Sequence, residues 1–380
     1  MQVFSSKLAL PTLGFLGYLV VVRTLRWRRY KAVHKKYLPK LNDQSLTVEE
    51  AHEVVQLAFM YDMPLLSEYS LAFALFKTYA IPTISKLLSE TKQLASTTLV
   101  ARRYADTELL IANWLACPLF GRKDDPRAAL ALARVNWLHS KYKISNEDYL
   151  YTLGLFTFEP ATFAARYGWR EHSQLEKYAA FVYWSEVGRR MNIENIPPTI
   201  QDFKAWIQTY EKEYMVPAQT NHEVANQTIN ELLFIVPHAF GLRRFAEGLT
   251  RSVLEDRVRI AMMQPEAPWY AKYVVNGSMW LFAFTHKHLL LPRRKPGALI
   301  KVELPKPWYK PRGWGFVDWF LVFVRWHDDV PRPEYRCGGY RIHEMGPPRF
   351  EQDGHEQVFK MAEALQGCPI SDAWKTNKEG

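Results

Sequence analysis

Residues 127–143 read RAALALARVNWLHSKYK and follow directly on Asp125-Pro126. This stretch decides the fold class. At about 100° per residue, Ala128, Leu132, Val135, His139 and Tyr142 fall within one stripe about 80° wide. Asp125 as N-cap and Pro126 as first helical residue predict a helix that starts there and runs to about Lys143. The pattern sets an imidazole, His139, in the middle of an apolar face. Two chemistries suit it: a satisfied core histidine, or an axial ligand to haem iron, for which a buried helical imidazole is the usual arrangement.

The neighbouring stretches carry the same period. ARRYADTELLIANWLACPLF, from Ala101 to Phe120, predicts a helix over about 98–119 with Arg103, Thr107, Leu110, Trp114 and Cys117 on one face and Asp106 beside Arg103. Arg103, Asp106 and Thr107 at the head of an apolar stripe read either as an N-terminal ion pair or as polar groups over an apolar cavity. Thr47-Val-Glu-Glu50 is a capping box, and Ser145-Asn-Glu-Asp148 opens another helix. Further helices are expected over 173–191, 200–214, 224–240 and 241–263. No alternating strand pattern precedes residue 265, so the expected class is all-α, ending in an irregular, proline-rich C-terminal third. Residues 291–312 there hold five prolines and seven bases against one acid. They are flanked by the apolar aromatic runs Met279–Phe284 and Gly315–Trp326, read either as core helices or as a patch dipping into a bilayer.

Charge divides the 380-residue chain in two. Of 49 basic residues, nine lie in residues 1–40, which contain no acid, leaving 40 bases against 39 acids in the rest. The net charge of +10 is therefore an N-terminal property, and the body offers no basic footprint for nucleic acid. Leu8–Val22 is an uncharged run, and counting from Gln2 gives 21 residues, enough to span a bilayer with Lys7 snorkelling. The bases follow the apolar run rather than precede it, which argues for a retained anchor over a cleaved signal peptide. The expected organisation is an anchor with a basic juxtamembrane segment over 1–40 and one helical catalytic domain over 41–380, facing the cytoplasm.

Several chemistries are missing. There is no GxGxxG after a strand, no GxxxxGK[ST], no HExxH and no GxSxG. The three cysteines, Cys117, Cys337 and Cys368, form no CxxC pair. Glu49-x-x-His52 stands alone where a di-iron bundle needs two such pairs.

Asp106-Thr-Glu-Leu-Leu110, Leu138-His139, Ser145-Asn-Glu-Asp-Tyr149, Tyr151 to Pro160 and Tyr335 to Ile342 stand in an order and spacing that resemble the MpaB and rubber-oxygenase catalytic-domain family. That family includes the latex-clearing proteins, and the likeness is clearest to its fungal, endoplasmic-reticulum-bound members. The resemblance implies a globin-like helical core holding haem b. His139 would be the proximal iron ligand, and Tyr142 and Thr152 pocket residues beside the cofactor. It implies a distal side formed by Arg103, Asp106 and Thr107. The family has lysine where this chain has Asp106, which implies an open or water-filled distal position, or a base or proton relay there. The implied reaction, in secondary metabolism of the mycophenolic acid type, is O2-dependent cleavage of a C=C bond in the prenyl chain of a lipophilic substrate. The implied location is the endoplasmic reticulum membrane, single-pass, held by lipid contact through residues 2–22. The alternatives are a haem monooxygenase or peroxygenase hydroxylating a terpenoid or polyketide, and a non-catalytic membrane-anchored scaffold.

Overall fold

The computed structural model describes residues 2–91, 99–119, 125–234, 236–297, 300 and 340–375, with side chains from residue 11 onward. The first half holds α1 (Gln2–Arg26), α2 (Arg28–Asn42), α3 (Val48–Gln56), a π-helix (Leu57–Asp62), α4 (Pro64–Thr78), α5 (Pro82–Glu90), α6 (Val100–Ala116), α7 (Arg127–His139) and α8 (Asn146–Tyr167). The second holds α9 (Gln174–Arg190), α10 (Ile200–Tyr214), α11 (Gln219–Leu232), α12 (Leu242–Val253), α13 (Asp256–Ala261), α14 (Ala271–His288), α15 (His355–Gln366) and α16 (Asp372–Lys375). No strand element occurs among the described residues, in keeping with the all-α expectation.

Local chemistry starts these helices. The Thr47 and Ser173 side chains each accept the N3 amide, while Glu50 and Glu176 reach back to the cap amides. The Ser145 and Thr199 hydroxyls accept from Asp148 and Asp202 at 3.1 Å. Each such cap is worth about 1 kcal/mol.

α7 is the axis of the core. Ala128 through Ala133 are at most 1% exposed, so this helix is covered on all sides. α6 and α15 pack against it, α3 packs on α9, and α4 packs on α8. Arg134, itself fully buried, reaches out of α7 to the backbone of the C-terminal segment. It donates to the carbonyls of Met345 (2.7 Å), Phe350 (2.6 Å) and Asp353 (2.8 Å). The π-helix is held at its end by Asp62, which pairs at 2.7 Å with buried Arg170; Arg170 also meets Glu176 at 2.7 Å.

Several boundaries differ from expectation. Pro126 is the N-cap of α7 rather than its first residue, and α7 ends at His139, so Tyr142 lies in the turn beyond the helix. The helix expected over 98–119 is α6, trimmed at both ends. The two helices expected over 224–240 and 241–263 become three: α11 stops at Leu232, the boundary at 240/241 falls where Phe240 and Gly241 take positive φ (54° and 72°), and a further break at Leu254 and Glu255, both extended, separates α12 from α13. Gly315–Trp326, Cys337 and Tyr335–Gly339 lie outside the described residues.

The expected anchor is helical as α1, but among the described residues no single helix is long and apolar enough to cross a membrane. The α4–α5 pair passes that test together, bent by 92°, yet α4 packs on α8 and α5 on α11 within the core.

Gly354 tests the packing of α15. It holds φ +76°, and a Cβ there would lie 2.1 Å from the Trp137 ring. Gly354→Ala is expected to cost about 1–3 kcal/mol, read as a lowered thermal midpoint.

Candidate active site

Four of the residues singled out from sequence come from α6 and α7, and the fold separates them into two groups. Arg103 and Thr107, one turn apart on α6, are joined: the guanidinium donates to the Thr107 hydroxyl, which in turn donates to the Arg103 carbonyl at 2.7 Å. Arg103 makes no ion pair with any described carboxylate, and its charge is felt by His139. The His139 imidazole closes α7, lies 5.6 Å from the Tyr149 ring, and has a buried Nδ1 with no hydrogen-bond partner among the described residues. Burial, and then the Arg103 cation, push its pKa down to about 4, so the ring is neutral at physiological pH. A neutral imidazole with an unengaged nitrogen is the donor that a haem iron takes. The carbonyl or carboxylate partner that usually orients a ligating histidine is absent among the described residues.

Asp106 belongs elsewhere. It is 1% exposed, accepts the Gly346 amide at 2.8 Å, and lies 3.8 Å from Arg102. It thus fastens the C-terminal segment to α6, away from the cavity that Tyr104, Thr107 and Glu108 border. Tyr142 is half-buried and accepts from Arg349 at 2.9 Å. The Thr152 hydroxyl is occupied by the Asp148 carbonyl of its own helix at 2.9 Å. Neither joins Arg103, Thr107 and His139 through a described contact. His52, the histidine of the lone Glu-x-x-His, meets the Leu115 carbonyl at 2.8 Å and is a satisfied core residue.

Thr107 opens onto a cavity of about 80 Å³ between the π-helix, α4 and α6. Its walls are apolar, with Phe59, Leu71, Ile111 and Leu115 among them, but two carboxylates, Glu68 and Glu108, also line it. Neither has a described salt bridge. Burial raises both well above the usual carboxylate range, and the charge of Glu108 raises Glu68 further. Two acids sharing an apolar space ionise in sequence rather than together, so the pair retains a proton where free carboxylates have lost theirs. The π-helix, an element frequent at functional sites, forms one wall, and its Met60 carbonyl accepts the Gly297 amide at 2.6 Å.

Glu68 and Glu108 are not among the candidates expected from sequence. The signal was there: Tyr104, Glu108, Ile111 and Leu115 share one otherwise apolar face of α6, as Glu68, Leu71 and Leu75 do on α4. An unpaired acid on such a face is the same anomaly that drew attention to His139.

Residues 94–284 match the family described as ER-bound oxygenase mpaB/B'/Rubber oxygenase, catalytic domain. The ER-bound oxygenase mpaB' of Penicillium brevicompactum is 32% identical over 403 residues, covering 94% of this chain and 92% of the relative. This chain belongs to that family. The ER-bound oxygenase mpaB of Penicillium roqueforti (strain FM164) is 34% identical over 272 residues, 66% of this chain and 88% of the relative. The mpaB of Penicillium brevicompactum is 36% identical over 239 residues, 58% and 60% of the two chains. The matched region contains α6, α7 and the whole Arg103–Thr107–His139 group, so the site described above lies in the catalytic domain of an oxygenase of the MpaB and rubber-oxygenase family.

The paired acids of this oxygenase make its stability depend on pH. Their folded pKa values lie above the unfolded value near 4.5, so the folded state holds more protons than the unfolded chain. The stability this contributes is full below the unfolded pKa and is lost as pH rises through the folded values. Between about pH 5 and pH 9, Glu68→Gln is expected to lose less of its thermal midpoint than the wild type, by several degrees at ~2–4 °C per kcal/mol. Parallel melting curves for the two proteins across that range would contradict the coupling.

Proposed function

We propose that the chain is a haem-dependent oxygenase, bound to the endoplasmic reticulum membrane, that cleaves a C=C bond in the prenyl side chain of a lipophilic substrate. The observation that carries the reading is His139, neutral and with a buried nitrogen unengaged among the described residues, under the charge of Arg103, whose guanidinium meets no described carboxylate. Family membership supplies the oxygenase class, and the relatives' names supply the association with the endoplasmic reticulum. A globin-like arrangement of α6, α7 and α8 around haem b is part of the proposal.

A bound haem would supply the binding and activation of O2. His139 would hold the iron, and its depressed pKa keeps the nitrogen free of a competing proton down to about pH 4. Arg103 presents positive charge and Thr107 a hydroxyl dipole, fixed to each other before any ligand arrives. Such preorganised groups stabilise developing negative charge without reorganisation. Glu68 and Glu108 hold a proton beside Thr107, and the apolar walls of Phe59, Leu71 and Ile111 keep bulk water away while accepting a hydrocarbon chain. In this reading Asp106 positions the C-terminal segment, and Tyr142 and Thr152 stand at the periphery. The membrane anchor through residues 2–22 places the site next to a substrate dissolved in the bilayer, on its cytoplasmic side.

The test is the absorption spectrum of the purified protein supplied with haem, followed by product mass with a prenylated phenol under O2. A Soret band and products shortened at the double bond are expected. A product heavier by one oxygen with an intact chain would replace cleavage by hydroxylation, and the absence of a Soret band would remove the haem reading.

A further inference from the structure

α14 is an apolar helix with one face uncovered among the described residues. Its inner face, Val275, Met279 and Ala283, packs with Trp27 against the cluster of Met63, Leu66, Tyr167 and Trp169. Its outer face carries Tyr273, Trp280, Leu281 and Phe284, all exposed, with Trp280 65% and Leu281 58% accessible. Single exposed apolar residues are ordinary; a contiguous aromatic stripe is not. Beyond the helix, Leu289, Leu290 and Leu291 are also exposed. Residues 267–300 contain five Lys or Arg and no Asp or Glu.

What covers this face follows from its register against α1. The Tyr18 hydroxyl donates to the Leu289 carbonyl at 2.7 Å, Arg26 donates to the Leu290 carbonyl, and Arg29 donates to the Arg293 carbonyl at 3.1 Å. Tyr18 lies inside the apolar run of α1, among exposed Leu13, Phe15, Leu16, Val20 and Val21. Leu289 and Leu290 are therefore pinned beside the C-terminal part of α1, between Tyr18 in its apolar run and Arg26 at its end. Arg29, in the basic segment that follows α1, then meets the carbonyl of Arg293, and Arg294 comes next in the chain. Aromatic residues at the boundary, leucines below it and bases without acids above it match a bilayer interface with an anionic leaflet.

We infer that α14 and Leu289–Leu291 form a second membrane-contacting element, which seats the catalytic domain on the bilayer beside α1. The inference rests on α1 being the anchor, and it fixes the domain's orientation, which an anchor on a flexible tether would not.

The experiment uses the full chain carrying Cys337→Ser and Cys368→Ser. A polarity-sensitive fluorophore is placed on one new cysteine at a time: Leu13→Cys, Trp280→Cys, Leu290→Cys, or exposed Lys360→Cys as the aqueous control. The proteins are reconstituted in phosphatidylcholine vesicles containing phosphatidylserine, with and without quenchers on the acyl chains. Labels at 13, 280 and 290 are expected to shift to the blue and lose most of their emission to the lipid quencher, while the label at 360 does neither. Quenching at 13 with 280 and 290 behaving like 360 overturns the second contact and leaves the anchor intact. An unquenched label at 13 overturns the anchor, and the labels at 280 and 290 then decide the α14 contact separately.

Discussion

His139→Ala is expected to retain no haem, whereas the wild type and Arg103→Ala retain it. At neutral pH a haem iron needs an unprotonated imidazole, and burial beside Arg103 keeps His139 neutral down to about pH 4. Its Nδ1 is buried without a partner among the described residues, a state that costs about 1–3 kcal/mol unless some group engages the ring. Removing the ring deletes the donor and leaves a methyl group at the end of α7. The fold should survive, because His139 is the last residue of that helix and the buried residues precede it. Pyridine haemochrome stoichiometry with circular dichroism on the same samples makes the check. Full stoichiometry in a folded His139→Ala protein would assign the iron to another residue. Arg103→Ala separates positioning from ligation: haem stays, turnover falls, and the His139 pKa rises toward its ordinary value.

The second large effect is expected at Arg134. Its guanidinium is completely buried and donates to three carbonyls of the segment between Met345 and Asp353. Hydrogen bonds from a charged donor contribute about 1.5–3 kcal/mol each, and truncation strands the acceptors in the interior. Arg134→Met should therefore cost about 3–5 kcal/mol, a large share of the ~5–15 kcal/mol that a domain possesses. The loss should be local first: limited proteolysis should release α15 and α16 from the variant at temperatures where the wild type is intact. Lys36→Met is the control, because its ion pair with Glu53 at 2.9 Å is solvent-exposed and such pairs contribute about 0–1 kcal/mol. Equal protease resistance of Arg134→Met and wild type would show that α15 docks without the arginine.

Much of the molecule is legible in its sequence. The starts of α3, α8, α9 and α10 follow from Thr47, Ser145, Ser173 and Thr199, whose hydroxyls meet amides three residues on. Such bonds are local, so spacing alone reveals them. The His139 anomaly, the all-α class and the family likeness are local in the same sense. The end of α7 was less legible, because the apolar stripe runs on through Tyr142 while the helix stops at His139.

What lies across each face needed the tertiary structure. Asp106 looked like a partner of Arg103 at helical spacing, yet its carboxylate is taken by an amide 240 residues away. Glu68 and Glu108 stand on different helices and share a cavity only because α4 and α6 both border the π-helix. Met279–Phe284 reads as part of a core helix or as a patch dipping into a bilayer, and only the packing of Val275, Met279 and Ala283 shows which side of α14 is left bare among the described residues. Helix phase and capping are decided within a few residues of chain, so the sequence by itself determined where helices begin and which residues share a face. Whether a face is met by apolar packing, a buried amide, a second acid or nothing depends on chain segments far away, and only the tertiary structure decided that.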